Sequence, residues 1–102
     1  MASRLELQDE LELLLGSDNV YFQPPESLRM SYPCIRYELG SIRPFRANNK
    51  AYTIHRAYSV THIYKDPDSD LINDFLTNFQ MCDHDRHYTG DGLHHDVYTI
   101  YY

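Results

Sequence analysis

Residues 52–64 read YTIHRAYSVTHIY, and this stretch decides the fold. β-branched and aromatic side chains dominate it, as they do in strands. Tyr58, Val60, His62 and Tyr64 fall on one face, and Ala57, Ser59, Thr61 and Ile63 on the other. That is the period of two that marks a strand rather than a helix. It is the longest such run in the chain, so a sheet forms around it.

Upstream, residues 41–51 (SIRPFRANNKA) read as a loop, with Pro44 and Asn48-Asn49 as turn formers. Before that loop, residues 34–39 alternate as a second strand, entered through Pro33 and closed by Gly40. The two strands pair as a bent hairpin. Residues 20–23 make a short extended run that Pro24-Pro25 stops. Residues 4–15 have helical spacing. Leu7, Leu11, Leu14 and Leu15 form an apolar stripe that Leu5 and Leu13 widen, Ser3 and Glu6 form a capping box, and Gly16 is the terminating glycine.

Downstream, Asp66 is the expected N-cap of a second helix with Pro67 at its first position. Leu71, Ile72, Phe75, Leu76 and Phe79 supply its core stripe, and Leu76→Ala is expected to cost about 2–4 kcal/mol. The final stretch, DHDRHYTGDGLHHDVYTIYY, places a Gly90-Asp91-Gly92 turn between strands at residues 85–89 and 94–102. The expected architecture is a single α/β (α+β) domain over residues 1–102. It is a small single-layer sheet, mixed or antiparallel, of about four to five strands packed against two helices.

Composition narrows the function. The chain has 102 residues, 42% of them hydrophobic, and a formal charge of -6. An acidic chain is a poor partner for a bare phosphate backbone, so no sequence-specific nucleic-acid binding is expected. The basic residues gather at Arg36, Arg43, Arg46, Lys50 and Arg56, between more acidic ends. Such asymmetry suits an acidic protein surface or a neighbouring copy of the same subunit. Ten tyrosines and no tryptophan point to a strand-rich interface, because tyrosine is at home where apolar surface meets water. Cys34 and Cys82 are not in a CxxC and read as buried thiols of an intracellular protein. No apolar run is long enough to span a membrane, and the first residues lack the basic region and cleavage site of a signal peptide.

The candidates for carrying chemistry cluster near the end. Asp83, His84, Asp85, His87, Asp91, His94, His95 and Asp96 include the usual ligands of zinc, iron and manganese. In a hairpin His87 can face His95, but consecutive His94 and His95 point to opposite faces and no HExxH spacing is present. Ser59, Ser69, Cys34 and Cys82 sit in no nucleophile elbow. Asp66, Asp68 and Asp70 read as helix-cap residues rather than paired catalytic acids. No metal, cofactor or catalytic residue is expected. Arg86 and Tyr88, with His84 extending the row, form a strand face suited to a protein interface.

Three runs carry a family resemblance: YPCIRYEL after a leading helix and a Pro-Pro turn, YSVTHIYKDPDSDL, and DRHYTGDGLHHDVYTIYY. They resemble the tail terminator (tail completion) and neck proteins of tailed bacteriophages and prophages, over nearly the whole chain. The resemblance implies a structural virion protein, not an enzyme, that assembles in the host bacterial cytoplasm. Its partners would be itself as a closed homo-oligomer, a hexamer, together with the tail tube protein and a head-completion or neck protein. DNA would make only passive contact while passing through the ring. On this reading Arg43, Arg46 and Lys50 reach towards the lumen or an adjoining ring. Tyr58, Arg86, Tyr88, Tyr98, Tyr101 and Tyr102 are the further interface candidates. Two alternatives stand beside it: another head-completion or minor capsid adaptor, and a metal-binding enzyme or module built on the His/Asp-rich hairpin.

Overall fold

A computed structural model of the chain describes residues 4–25, 29, 31–47, 50–79 and 81–102, with backbone alone over 41–47 and 50–55. The Ser3 half of the expected capping box, the Asn48-Asn49 turn and the expected end of the second helix at Gln80 lie outside the described residues. Helix α1 (Arg4–Leu15) forms where the leucine spacing places it. It ends at Gly16, whose φ of 80° suits a residue without Cβ and whose N–H donates to Glu12 O at 2.9 Å. Leu7 and Leu11 are fully buried, and Leu14 and Leu15 pack at the core margin. Leu5 and Leu13 do not widen the stripe; they are 63% and 84% exposed. At about 100° per residue both lie on the far side of the helix from Leu7 and Leu11.

The sheet has five strands in the order β1-β2-β3-β5-β4. They are β1 (Val20–Phe22), β2 (Cys34–Ala47), β3 (Lys50–Tyr64), β4 (Cys82–Gly90) and β5 (Leu93–Tyr101). β1 runs parallel to β2 and every other pairing is antiparallel, so the sheet is mixed. With two helices it makes the expected small α+β fold.

The largest departure from expectation is residues 41–47 and 50–51, which are strand rather than loop. β2 does not close at Gly40. The β2–β3 ladder runs through irregularities at Leu39/Ser41 and Phe45/Arg46 until Ala47 pairs with Lys50. Pro44 is tolerated because β1 covers β2 only at Ile35–Tyr37, which leaves Pro44 on an edge. On the other side β5 reaches β3 only as far as Ala57, and Tyr102 extends the pairing to Arg56. Residues 43–47 and 50–55 are therefore a two-stranded arm beyond the rest of the sheet. The molecule measures 50 Å in its long dimension against 28 and 23 Å in the others.

Helix α2 (Leu71–Asn78) begins later than Asp66-Pro67 suggests. Asp66 instead organises a turn, with Oδ1 accepting from Asp68 N at 3.0 Å and its carbonyl from Ser69 N at 3.2 Å. An Asx turn competes with helix for the same carboxylate. Phe75 is fully buried and Phe79 nearly so, whereas Leu76 is 43% exposed. α1 and α2 cover the same sheet face, where Leu7, Leu11, Phe75, Val60 and Ile100 form the core. Tyr58 (3% exposed) and Tyr98 (0%) belong to that core and are not available as contact residues. Tyr98 lies under Phe75 with ring centroids 4.1 Å apart. Two helices leave space over the sheet that leucine and phenylalanine alone do not fill, and tyrosine rings occupy it. The β4–β5 hairpin closes through Asp91-Gly92, both at positive φ (53° and 74°), the signature of a two-residue primed turn. Among the described residues no helix is long and apolar enough to cross a membrane.

Candidate interaction surfaces and a buried carboxylate cluster

The histidines of the last hairpin are arranged by one irregularity. The β4–β5 register runs His84↔Tyr98, then Arg86↔Val97 and His87↔Asp96, so Asp85 is an extra residue in β4. Without it His84 and His87, three apart, would face opposite ways. The bulge brings both to the helix-covered face and leaves Arg86 and Tyr88 on the other. His84 is thus not part of the Arg86–Tyr88 row, and His87 meets Asp96 rather than His95. The ring that faces His95 is Tyr88, stacked on it at 4.5 Å.

Asp96 is only 5% exposed and both its oxygens are occupied. Oδ2 accepts from the Tyr64 hydroxyl at 2.7 Å. Oδ1 accepts from His84 Nε2 at 3.0 Å and from His87 Nδ1 at 2.7 Å. Burial by itself would raise the carboxyl, but the hydrogen bonds from Tyr64, His84 and His87 outweigh it and hold Asp96 below its ordinary value. Burial, then the bond to Asp96, pushes the Tyr64 hydroxyl up to about 12. His62 stacks on Tyr64 at 4.5 Å and is 2% exposed. Burial lowers it to about 4, against the pull of Asp96. One carboxylate thereby ties together β3, β4 and β5. Beside it, His62 and Tyr64 line a cleft of about 310 Å³ with Tyr32, Pro33, Lys65 and Ser69. Tyr98 Oη and His95 Nδ1 are buried without a hydrogen-bond partner among the described residues. Those residues contain no group of three side chains placed to hold a metal ion. Cys34 and Cys82 are free thiols, each pushed up to about 11 chiefly by burial, which makes them weak nucleophiles at neutral pH.

Among the described residues no helix covers the opposite sheet face. The Arg86 guanidinium sits 5.1 Å from the Tyr88 ring centre, and Tyr88 is 42% exposed. With Arg36, Glu38, Ser59 and Thr61 they border a shallow depression of about 220 Å³. Thr99 Oγ1 donates to Asp85 Oδ2 at 2.6 Å, which gives the bulged residue its own anchor. Tyr101 pairs with Ala57 and is half-buried. Tyr102 belongs to the core margin. It meets Phe79 edge-on at 6.5 Å, and burial and a bond to Glu10 raise its hydroxyl. Its backbone exchanges hydrogen bonds with Arg56 at 2.9 and 3.2 Å. Arg43, Arg46 and Lys50 all lie on the arm, paired in register with His55, Ala51 and Ala47.

A further surface was not anticipated. Between α1 and α2 runs a groove of about 420 Å³, lined by Glu10, Leu13, Leu14, Asp74, Asn78 and Phe79. Assigning Leu13 to the core hid it, although the angular position of Leu13 on the helix carries the signal. Comparison of the chain with protein-family models, with curated proteins and with solved structures finds no match in any of the three.

Proposed function

We propose that this chain is a structural subunit of the tail terminator type, which assembles with copies of itself into a ring that caps a tail tube and joins it to the neck. The observation that carries the reading is the basic two-stranded arm. A lone ribbon of two strands is marginally stable in water, and its outer edges invite pairing, so an arm of this length acquires its purpose from a neighbour. The uncovered face with Arg86 and Tyr88 adds a second surface of the composition found at protein interfaces. The number six comes from the family resemblance, as do the tail tube and neck partners and the virion location.

The Asp96 cluster supports the same reading rather than an enzymatic one. Its carboxylate is 5% exposed and accepts three hydrogen bonds that join three strands, so it is held away from a substrate proton rather than presented to one. Mass photometry over a concentration series, with imaging of assembled tails, tests the proposal. A closed oligomer, free or seated on a tail tube, is the expected result. A chain that stays monomeric at every concentration and is missing from purified particles refutes it.

A further inference from the structure

The groove between α1 and α2 has a mixed chemistry. Leu13, Leu14 and Phe79 make it apolar, and Glu10 and Asp74 make it acidic. Leu13 is 84% exposed beside the half-buried Leu14 and the buried Phe79. Its neighbours on α1 include Asp9 and Glu12, and the last turn of that helix has no basic residue. An occupant must therefore bring apolar side chains and positive charge together.

The chain itself contains one segment of that kind. Residues 42–46 read IRPFR, three apolar or ring residues with two arginines, and they lie in β2 on the arm. The whole stretch 39–65 carries five of the nine basic residues and no acid, leaving four bases against fifteen acids elsewhere. The arm is a two-stranded ribbon. Its two strands remain paired from Ile42↔Arg56 to Ala47↔Lys50, which holds the tip roughly 20 Å from its root.

We infer that the α1–α2 groove receives the β2–β3 arm of a second copy of this chain, the positive charge of the arm set against Glu10 and Asp74 and its apolar residues against Leu13. This rests on the reading of the chain as a self-assembling subunit and names the contact by which it assembles. Arm and groove are different surfaces, so each contact leaves one free arm and one free groove. Association then continues until a ring closes.

Charge exchange tests the contact by sedimentation velocity over a concentration series. The arm variant is Arg43→Glu with Arg46→Glu. The groove variant is Leu13→Lys with Asp74→Lys, both at exposed positions. Each variant alone should associate at least about tenfold more weakly than the parent chain. An equimolar mixture should recover assembly, because the unaltered arm finds the acidic groove and the acidic arm finds the lysine groove. Thermal melting checks that both variants fold; Leu13→Ser, with no charge change, should weaken association in the same direction. If the parent chain associates and either charge variant assembles undiminished, or the mixture fails to recover, the arm–groove contact is wrong while the ring reading stands. If the parent chain is monomeric at every concentration and on tail tubes, both fall.

Discussion

Asp96 shows how one residue organises its surroundings. It accepts hydrogen bonds from β3 through Tyr64 and from β4 through His84 and His87, while itself lying on β5. Asp96→Asn keeps the shape but removes the charge that strengthens all three bonds. It should lower stability by about 2–3 kcal/mol, measured by urea unfolding; a loss below about 0.5 kcal/mol would mean that the cluster is incidental. His62 sets the pH response. The unfolded chain takes up a proton near 6.5, whereas the folded chain resists until about 4. The contribution of His62 is therefore complete above 6.5 and falls as pH drops towards 4, by on the order of 3 kcal/mol in total. Asp96 acts at lower pH, because its depressed value means its contribution is lost only as pH falls below 3.8. Urea midpoints measured from neutral to mildly acidic pH should decline, and His62→Gln should flatten the decline. A parent profile that is flat over that range would contradict the burial of a neutral imidazole.

At the scale of elements, α2 separates spacing from packing. Its stripe contains both Phe75 and Leu76, yet consecutive residues on a helix are about 100° apart and one must turn outward. Phe75 is the one that packs, on Tyr98 at 4.1 Å and near Phe79 at 6.3 Å. Phe75→Ala should cost about 3–5 kcal/mol. Leu76→Ala, expected from spacing alone to cost nearly as much, should cost under about 1 kcal/mol because Leu76 stays 43% exposed. Denaturant unfolding of the two variants side by side decides the order; the reverse order would mean that the helix is rotated from its described position. In β4 a single extra residue at Asp85 reassigns every later side chain to the other face, which is why His84 and His87 share a partner.

For the whole molecule, the arm and the domain are separable in stability. The core lies between the helices and the strands around Val60 and Ile100, whereas residues 43–47 and 50–55 pair only with each other. Replacing residues 42–55 by a short turn should leave the urea midpoint nearly unchanged and abolish self-association. Unfolding and light scattering on the same sample check both halves. A shortened chain that assembles normally would remove the arm from the interface.

Much of this architecture was legible in the residues. The alternation of residues 57–64, the leucines of α1 with Gly16 behind them, and the Asp91-Gly92 turn are local signals, set by backbone geometry over a few positions. The arm was not legible, because Pro44 is a loop former by propensity, and only the ladder across β2 and β3 overrides it. The fate of the tyrosines was not legible either. The same ring suits a core or an interface, and the choice depends on what lies above it: Phe75 covers Tyr98, whereas Tyr88 on the uncovered face is left to the solvent. Sequence determined which segments outside the arm become strands and helices, and where the charge resides. Tertiary structure decided, through the bulge at Asp85 and the placement of two short helices over one face, which side chains meet, because contacts between residues far apart in the chain follow from register and packing and not from local pattern.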